Sequence, residues 1–80
     1  MRVDKFLKNS RLIKRRTVAK EACEQGRVKV NDRPAKPGTE VSEGDIVTIE
    51  FGTRTVKARI IDLKEHVTKD GAREMYETIE

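Results

Sequence analysis

Aromatic residues are scarce in this 80-residue chain, which has Phe6, Phe51 and Tyr76 and no tryptophan. Phe6 and Phe51 are expected in the core, so little remains for stacking on bases. Any nucleic acid would be recognised by shape and phosphate rather than by a base code. The single cysteine, Cys23, excludes an intramolecular disulfide and a multi-cysteine metal site, and suits a reducing compartment. His66 is the only histidine and falls in a polar stretch, where an exposed side chain is expected rather than a base or a metal ligand. No apolar run approaches the ~20 residues of a membrane span, and no apolar h-region follows the N-terminal charges. A cytoplasmic protein with no membrane partner is expected. Internal repeats and low-complexity tracts are also missing.

Charge is what the chain has in quantity. Charged residues are 40% of the sequence against 35% hydrophobic, so the core of so small a domain must be thin. The apolar positions are nevertheless periodic, which predicts a folded domain. Met1 to Arg33 holds eleven basic and four acidic residues, a net +7, whereas Pro34 to Glu80 carries −3. In the densest part, Arg11-Leu12-Ile13-Lys14-Arg15-Arg16, cations interleave with apolar residues and lead into an expected helix, unlike a disordered basic tail. This pattern predicts a folded face for RNA or DNA phosphates.

Val3, Phe6 and Leu7 at i, i+3 and i+4 predict a short opening helix with Arg2, Lys5 and Lys8 or Asn9 outward. Thr17 is the expected N-cap of a second helix running to about Gln25, with Val18, Ala19, Ala22 and Cys23 inward and Gly26 as its stop. Lys20 then falls at the third helical position, where an acid is ordinarily favoured, and that end is expected to take an external anion. Asp4 is expected to complement the dipole of the first helix and to pair with a nearby arginine. Cys23, beside Ala19 and Ala22, is expected to be a small core residue.

From Arg27 the period becomes two, with Val28 and Val30 in a strand. Asn31-Asp32 is a tight turn, and Arg33 to Gly38 a loop whose two prolines exclude a central strand. Val41 is expected to pair briefly, and Ser42 to Asp45 to turn. Ile46 to Phe51 and Arg54 to Ile61 flank Gly52-Thr53, a two-residue II′ loop. That loop pairs Phe51 with Arg54, Ile49 with Val56 and Val47 with Ala58 on one face. Glu65 to Gly71 is a loose connection, and Ala72, Met75, Tyr76 and Ile79 predict a short C-terminal helix docking one apolar side. The expected organisation is an RNA-binding domain over residues 1–62 and a C-terminal segment over 63–80.

Arg2-Val3-Asp4-Lys5-Phe6-Leu7, Lys14 to Ala19, Gly26 to Asn31, Lys36-Pro37-Gly38 and Gly44-Asp45, in that order and spacing, resemble the S-four RNA-binding domain from about Met1 to Phe51. Asp32 stands where that family commonly has glycine. The resemblance implies an α+β fold of two short N-terminal helices, the alpha-L motif, packed on a small bent antiparallel sheet. Fewer than thirty residues follow Phe51, so a catalytic domain of the kind that often carries this module is not expected. The full pattern, with Met75-Tyr76-Glu77-Thr78 near the end, resembles the stand-alone heat-shock RNA-binding protein family. Ser10 to Thr17 is most similar to its RqcP branch, the ribosome-associated quality-control factors.

That resemblance implies a non-enzymatic factor, without cofactor, metal or small-molecule substrate, acting as a monomer. It would bind a split large ribosomal subunit carrying peptidyl-tRNA, contact both rRNA and tRNA, and cooperate with RqcH in adding a C-terminal alanine tail. Two alternatives stand beside it: heat-shock-type rescue on the same particle, and an RNA-tethered adaptor whose acidic C-terminal half recruits a protein. The RNA-binding residues expected are Arg2, Lys5, Lys8, Arg11, Lys14, Arg15, Arg16, Lys20 and Lys36. Lys36 sits in the Pro-Gly loop and the others on or between the first two helices.

Overall fold

The opening stripe closes as expected. In the computed structural model, which describes residues 1–79, helix α1 spans Val3–Asn9 with Val3, Phe6 and Leu7 fully buried. Asn9, expected on the outer side, is buried as well. The helix ends at Ser10, and Arg11 follows with φ 61°, a left-handed position that glycine or asparagine usually occupies. Its N–H reaches the Lys8 carbonyl at 3.0 Å, and the Ile13 N–H reaches that of Leu7 at 3.1 Å, so Ile13 folds back into the core.

Helix α2 spans Arg16–Glu24, starting earlier than a Thr17 cap allows. Arg15 is the N-cap, in extended conformation and without a side-chain cap bond, so Thr17 lies inside the helix and Lys20 a full turn in. The helix start has no side-chain cap, and its first residue, Arg16, meets Asp4 of α1. Val18, expected inside, is 47% exposed because the buried stripe centres on Ala19 and Cys23, at i and i+4, which are buried as expected. The C-terminus closes on Gly26, φ 75°, with the Gly26 and Arg27 N–H groups bonded to the Cys23 and Ala22 carbonyls at 3.1 and 2.9 Å, a Schellman arrangement.

Strands β1 (Val28–Val30), β2 (Arg33–Pro34), β3 (Ile46–Phe51), β4 (Arg54–Ile60) and β5 (Tyr76–Ile79) form one antiparallel sheet in the order β2-β1-β3-β4-β5. Asn31 and Asp32 have φ of 51° and 65°, so the β1–β2 turn takes the I′ form despite aspartate at its second position. Arg33 and Pro34, expected in a loop, make a two-residue edge strand, where proline is tolerated. The β3–β4 register is the one implied by the two-residue loop: Phe51 opposite Arg54, Ile49 opposite Val56, Val47 opposite Ala58. Gly52 takes φ 58° and Thr53 is not left-handed, as a II′ loop requires. The Val41 N–H bonds the Met1 carbonyl at 2.9 Å and the backbone of Glu40 forms an isolated antiparallel β-bridge with that of Arg2, tying the start of α1 to the middle of the chain.

The C-terminal stretch is only partly helical. Thr68 caps a four-residue helix α3, Lys69–Ala72, by accepting the Gly71 N–H at 3.1 Å, and one 3-10 turn carries the chain to Met75. Ala72 and Met75 enter the core, but Tyr76 to Ile79, expected to continue the helix, run as β5 along β4. An open β4 edge and three strand-favouring residues, Tyr76, Thr78 and Ile79, outweigh the helical spacing. The predicted segment 63–80 thus contributes a helix and a strand, its last residue, Glu80, lying outside the described residues. The core joins Val3, Phe6, Leu7, Ile13, Ala19 and Cys23 of the helical layer to Val28, Val30, Val47, Ile49, Ile60 and Met75.

Candidate nucleic-acid interface

Packing α2 against α1 gathers Arg2 and Arg16, fourteen positions apart, on the carboxylate of Asp4. The Asp4 side chain is 3% exposed and meets Nη2 of Arg2 at 3.1 Å through Oδ2 and Nη2 of Arg16 at 3.5 Å through Oδ1. Oδ1 also accepts the Lys5 N–H at 2.8 Å. A carboxylate this buried needs such partners, because unpaired charge away from water is strongly penalised. Both guanidinium groups nevertheless remain about half exposed, at 48% and 47% of the side-chain surface. The Arg2 guanidinium lies over Gly38, where a Cβ would come within 3.9 Å of Nε, and this brings the Lys36-Pro37-Gly38 loop against the helical face. The Asp4 and Val3 N–H groups hold that loop through the carbonyls of Pro37 and Thr39, at 3.3 and 2.7 Å.

A second group forms where the chain leaves α1. Lys8, Arg11 and Lys14 line one open cleft with Asn9 and Val67, and none of the three cations has a carboxylate partner among the described residues. The left-handed turn at Arg11 sets its side chain there. Asn9 joins the cleft to the C-terminal segment by donating Nδ2 to the carbonyls of Lys64 and Glu65 at 3.0 and 3.2 Å. Lys5, by contrast, pairs with the carboxylate of Glu65, whose pKa is lowered by the Lys5 hydrogen bond and charge.

Arg15, Lys20 and Lys36 are exposed and make no side-chain ion pair among the described residues. The first turn of α2 contains no acidic residue and no side-chain cap, leaving its N–H groups to add positive potential beside Arg15 and Arg16. The structure therefore brings together two sets, Arg2 with Arg16 and Lys8 with Arg11 and Lys14. It ties Lys5 to an acid and leaves Arg15, Lys20 and Lys36 separate. Sequence reasoning missed the roles of Asn9, Glu65 and Val67. Nothing local marks them, since their contacts span more than fifty residues.

Elsewhere the reactive side chains are quiet. Burial first, then the charges of Asp4 and Glu24, push the Cys23 thiol up to about 11, so it is a core residue and not a nucleophile at neutral pH. His66 is exposed. Among the described residues no group of three His, Cys, Asp or Glu side chains is placed to hold a metal, and no helix is long and apolar enough to cross a membrane.

Comparison with known proteins gives this face its context. The family model described as the S4 domain matches residues 1–47. The RQC P-site tRNA stabilizing factor of Halalkalibacterium halodurans is 58% identical over 96% of this chain and 88% of its own length. The protein of the same name from Listeria monocytogenes is 57% identical over 99% of this chain and 86% of its own. Among solved structures, Heat Shock Protein 15 of Vibrio cholerae, described as trimeric, superposes with a TM-score of 0.90 at 28% identity, covering 99% of this chain and 81% of that one. Both helices and the cationic sets between them fall inside the matched region, and the chain belongs to the S4 domain family, the S-four family that its N-terminal motifs resemble.

Proposed function

We propose that this protein is an RNA-binding factor of ribosome-associated quality control that stabilises tRNA in the P site of a split large ribosomal subunit. The near-full-length similarity to relatives named for that role carries the reading. The geometry is compatible with it in a particular way: a rigid helix pair offers cations at several spacings, suited to consecutive phosphates rather than to a base sequence. In this reading Arg2, Lys5, Lys8, Arg11, Lys14, Arg15, Arg16, Lys20 and Lys36 meet rRNA and tRNA phosphates. The factor acts as a monomer in the cytoplasm, catalyses no reaction itself, and holds peptidyl-tRNA while its functional partner RqcH supports alanine tailing.

The adaptor alternative loses ground on one observation. Glu65, Glu74 and Glu77, three acids of the C-terminal half, already face Lys5, Lys64 and Arg59 within the chain. The test is gradient sedimentation of a tagged protein from growing cells, with sequencing of the RNA that co-purifies. Enrichment on free large subunits together with tRNA is expected. A spread over all RNA would reduce the protein to a general RNA binder.

A further inference from the structure

The arrangement of Arg2, Asp4 and Arg16 has a charge balance that bears on its ligand. One carboxylate stands against two guanidinium groups, leaving the trio at net +1, the magnitude of one phosphodiester. Each arginine uses Nη2 on Asp4, and their Nε and Nη1 atoms have no hydrogen-bond partner among the described residues. An arginine on a surface normally samples many rotamers and must be ordered when it binds, which costs side-chain entropy. Here a nearly inaccessible carboxylate, itself fixed at the start of α1 by the Lys5 N–H, gives both guanidinium groups a common point of attachment. Gly38 lies beside the Arg2 group at van der Waals distance.

Resting on the RNA-binding reading above, we propose that Asp4 is a positioning residue that holds Arg2 and Arg16 as one clamp for a single RNA phosphodiester. The acid works against the sign of its own charge. It repels the phosphate directly, yet strengthens binding by ordering the two cations that grip it, since bidentate guanidinium contacts depend on geometry as well as charge. The arginine at 3.1 Å is held more closely than the one at 3.5 Å, so Arg2 is the firmer arm.

The two views of Asp4 differ in sign, which makes Asp4→Asn a decisive variant. If the acid were only an unhelpful charge beside a cationic face, removing it would tighten binding. The clamp requires the reverse: at least about fivefold weaker binding to purified large subunits carrying peptidyl-tRNA, since the two cations lose their shared anchor. The loss should vanish when Asp4→Asn is placed in an Arg2→Ala/Arg16→Ala background, because a residue acting only through its partners has no effect without them. Equal or tighter binding by Asp4→Asn overturns the proposal, as does an undiminished loss in the double-alanine background, which marks a purely structural acid. NMR of the free wild-type protein gives an answer that requires no variant to fold. Slow guanidinium rotation at Arg2 and Arg16 relative to Arg15 is expected, and equal rotation at all three contradicts the clamp. Failure of the wild-type protein to bind the particles would remove the functional reading itself, an outcome distinct from a tightened Asp4→Asn variant.

Discussion

The helical face and the β4–β5 edge both carry cations, yet they treat them in opposite ways. Arg59 on the edge meets Glu77 at 2.6 Å, and Lys64 in the loop after β4 meets Glu74 at 3.1 Å and Asp62 at 3.9 Å, so these two cations are answered by acids of the same half, whereas Lys57 of β4 has no acid among the described residues. Such exposed pairs contribute about 0–1 kcal/mol each and project little field. On the helical face Lys8, Arg11, Lys14 and Arg15 have no acid among the described residues, and Arg2 with Arg16 share one buried acid between two charges. At these residues the two surfaces differ in where the counter-charge stands, more than in the presence of cations.

The largest expected effect follows from removing the two arginines that share one acid. Arg2→Ala/Arg16→Ala should weaken association with large subunits carrying peptidyl-tRNA by about tenfold or more, each lost charged hydrogen bond contributing about 1.5–3 kcal/mol. Arg59→Ala/Lys64→Ala should change it by less than about twofold; equal losses from the two variants would erase the distinction between the surfaces. Next comes the salt dependence. If about five phosphates are neutralised, log K falls with log salt at a slope of roughly −3.5 to −4.5. Lys8→Ala/Arg11→Ala/Lys14→Ala should make that slope shallower by about two to three, roughly one per phosphate contact. A slope unchanged in this variant would detach the cleft from the RNA-binding face.

Stability sharpens the same contrast. The Cys23 thiol is raised from 9.0 to about 11 in the fold. A group raised on folding contributes stability that is present below its unfolded pKa and lost as pH rises through the folded value. Urea unfolding should therefore show stability falling by roughly 2–3 kcal/mol as the pH rises from about 9 to 11, because a tenfold change in proton affinity corresponds to about 1.4 kcal/mol. Cys23→Ser should flatten that pH dependence. The smallest effect is at Glu65, an acid of the C-terminal half that pairs with Lys5 of the helical face. Its lowered pKa means a contribution present above 4.5 and lost as pH falls, and full exposure keeps that contribution minor. Glu65→Gln frees Lys5 and should tighten RNA binding by no more than about twofold, read by the same binding titration.

The parts of this architecture that depend on neighbouring residues were legible in the sequence. The β3–β4 hairpin could be registered residue by residue because turn length and alternation agree at Phe51–Arg54, Ile49–Val56 and Val47–Ala58. Gly26 marked the end of α2 for an equally local reason, its left-handed φ. Features settled by tertiary contact were not legible. The cap of α2 is Arg15 rather than Thr17, and the contact of Arg16 with Asp4 across the helix pair is announced by no local pattern. Tyr76 to Ile79 obey helical spacing in sequence but pair with a strand edge that exists only once β4 has formed. The same logic applies to the candidate site. Its cations were visible as a cluster, whereas their division into a clamp, a cleft and an acid-bound lysine depends on which elements pack together.

The central claim is that the α1–α2 face, and no other, meets RNA on the large subunit. An electron cryomicroscopy structure of the protein bound to large subunits carrying peptidyl-tRNA tests it most directly. The expected result places Arg2, Arg16, Lys8, Arg11 and Lys14 at hydrogen-bond distance from rRNA or tRNA phosphates, with Arg59 and Glu77 still paired in solvent. Density showing the β4–β5 edge against RNA, with the helical face turned to water, would contradict the account.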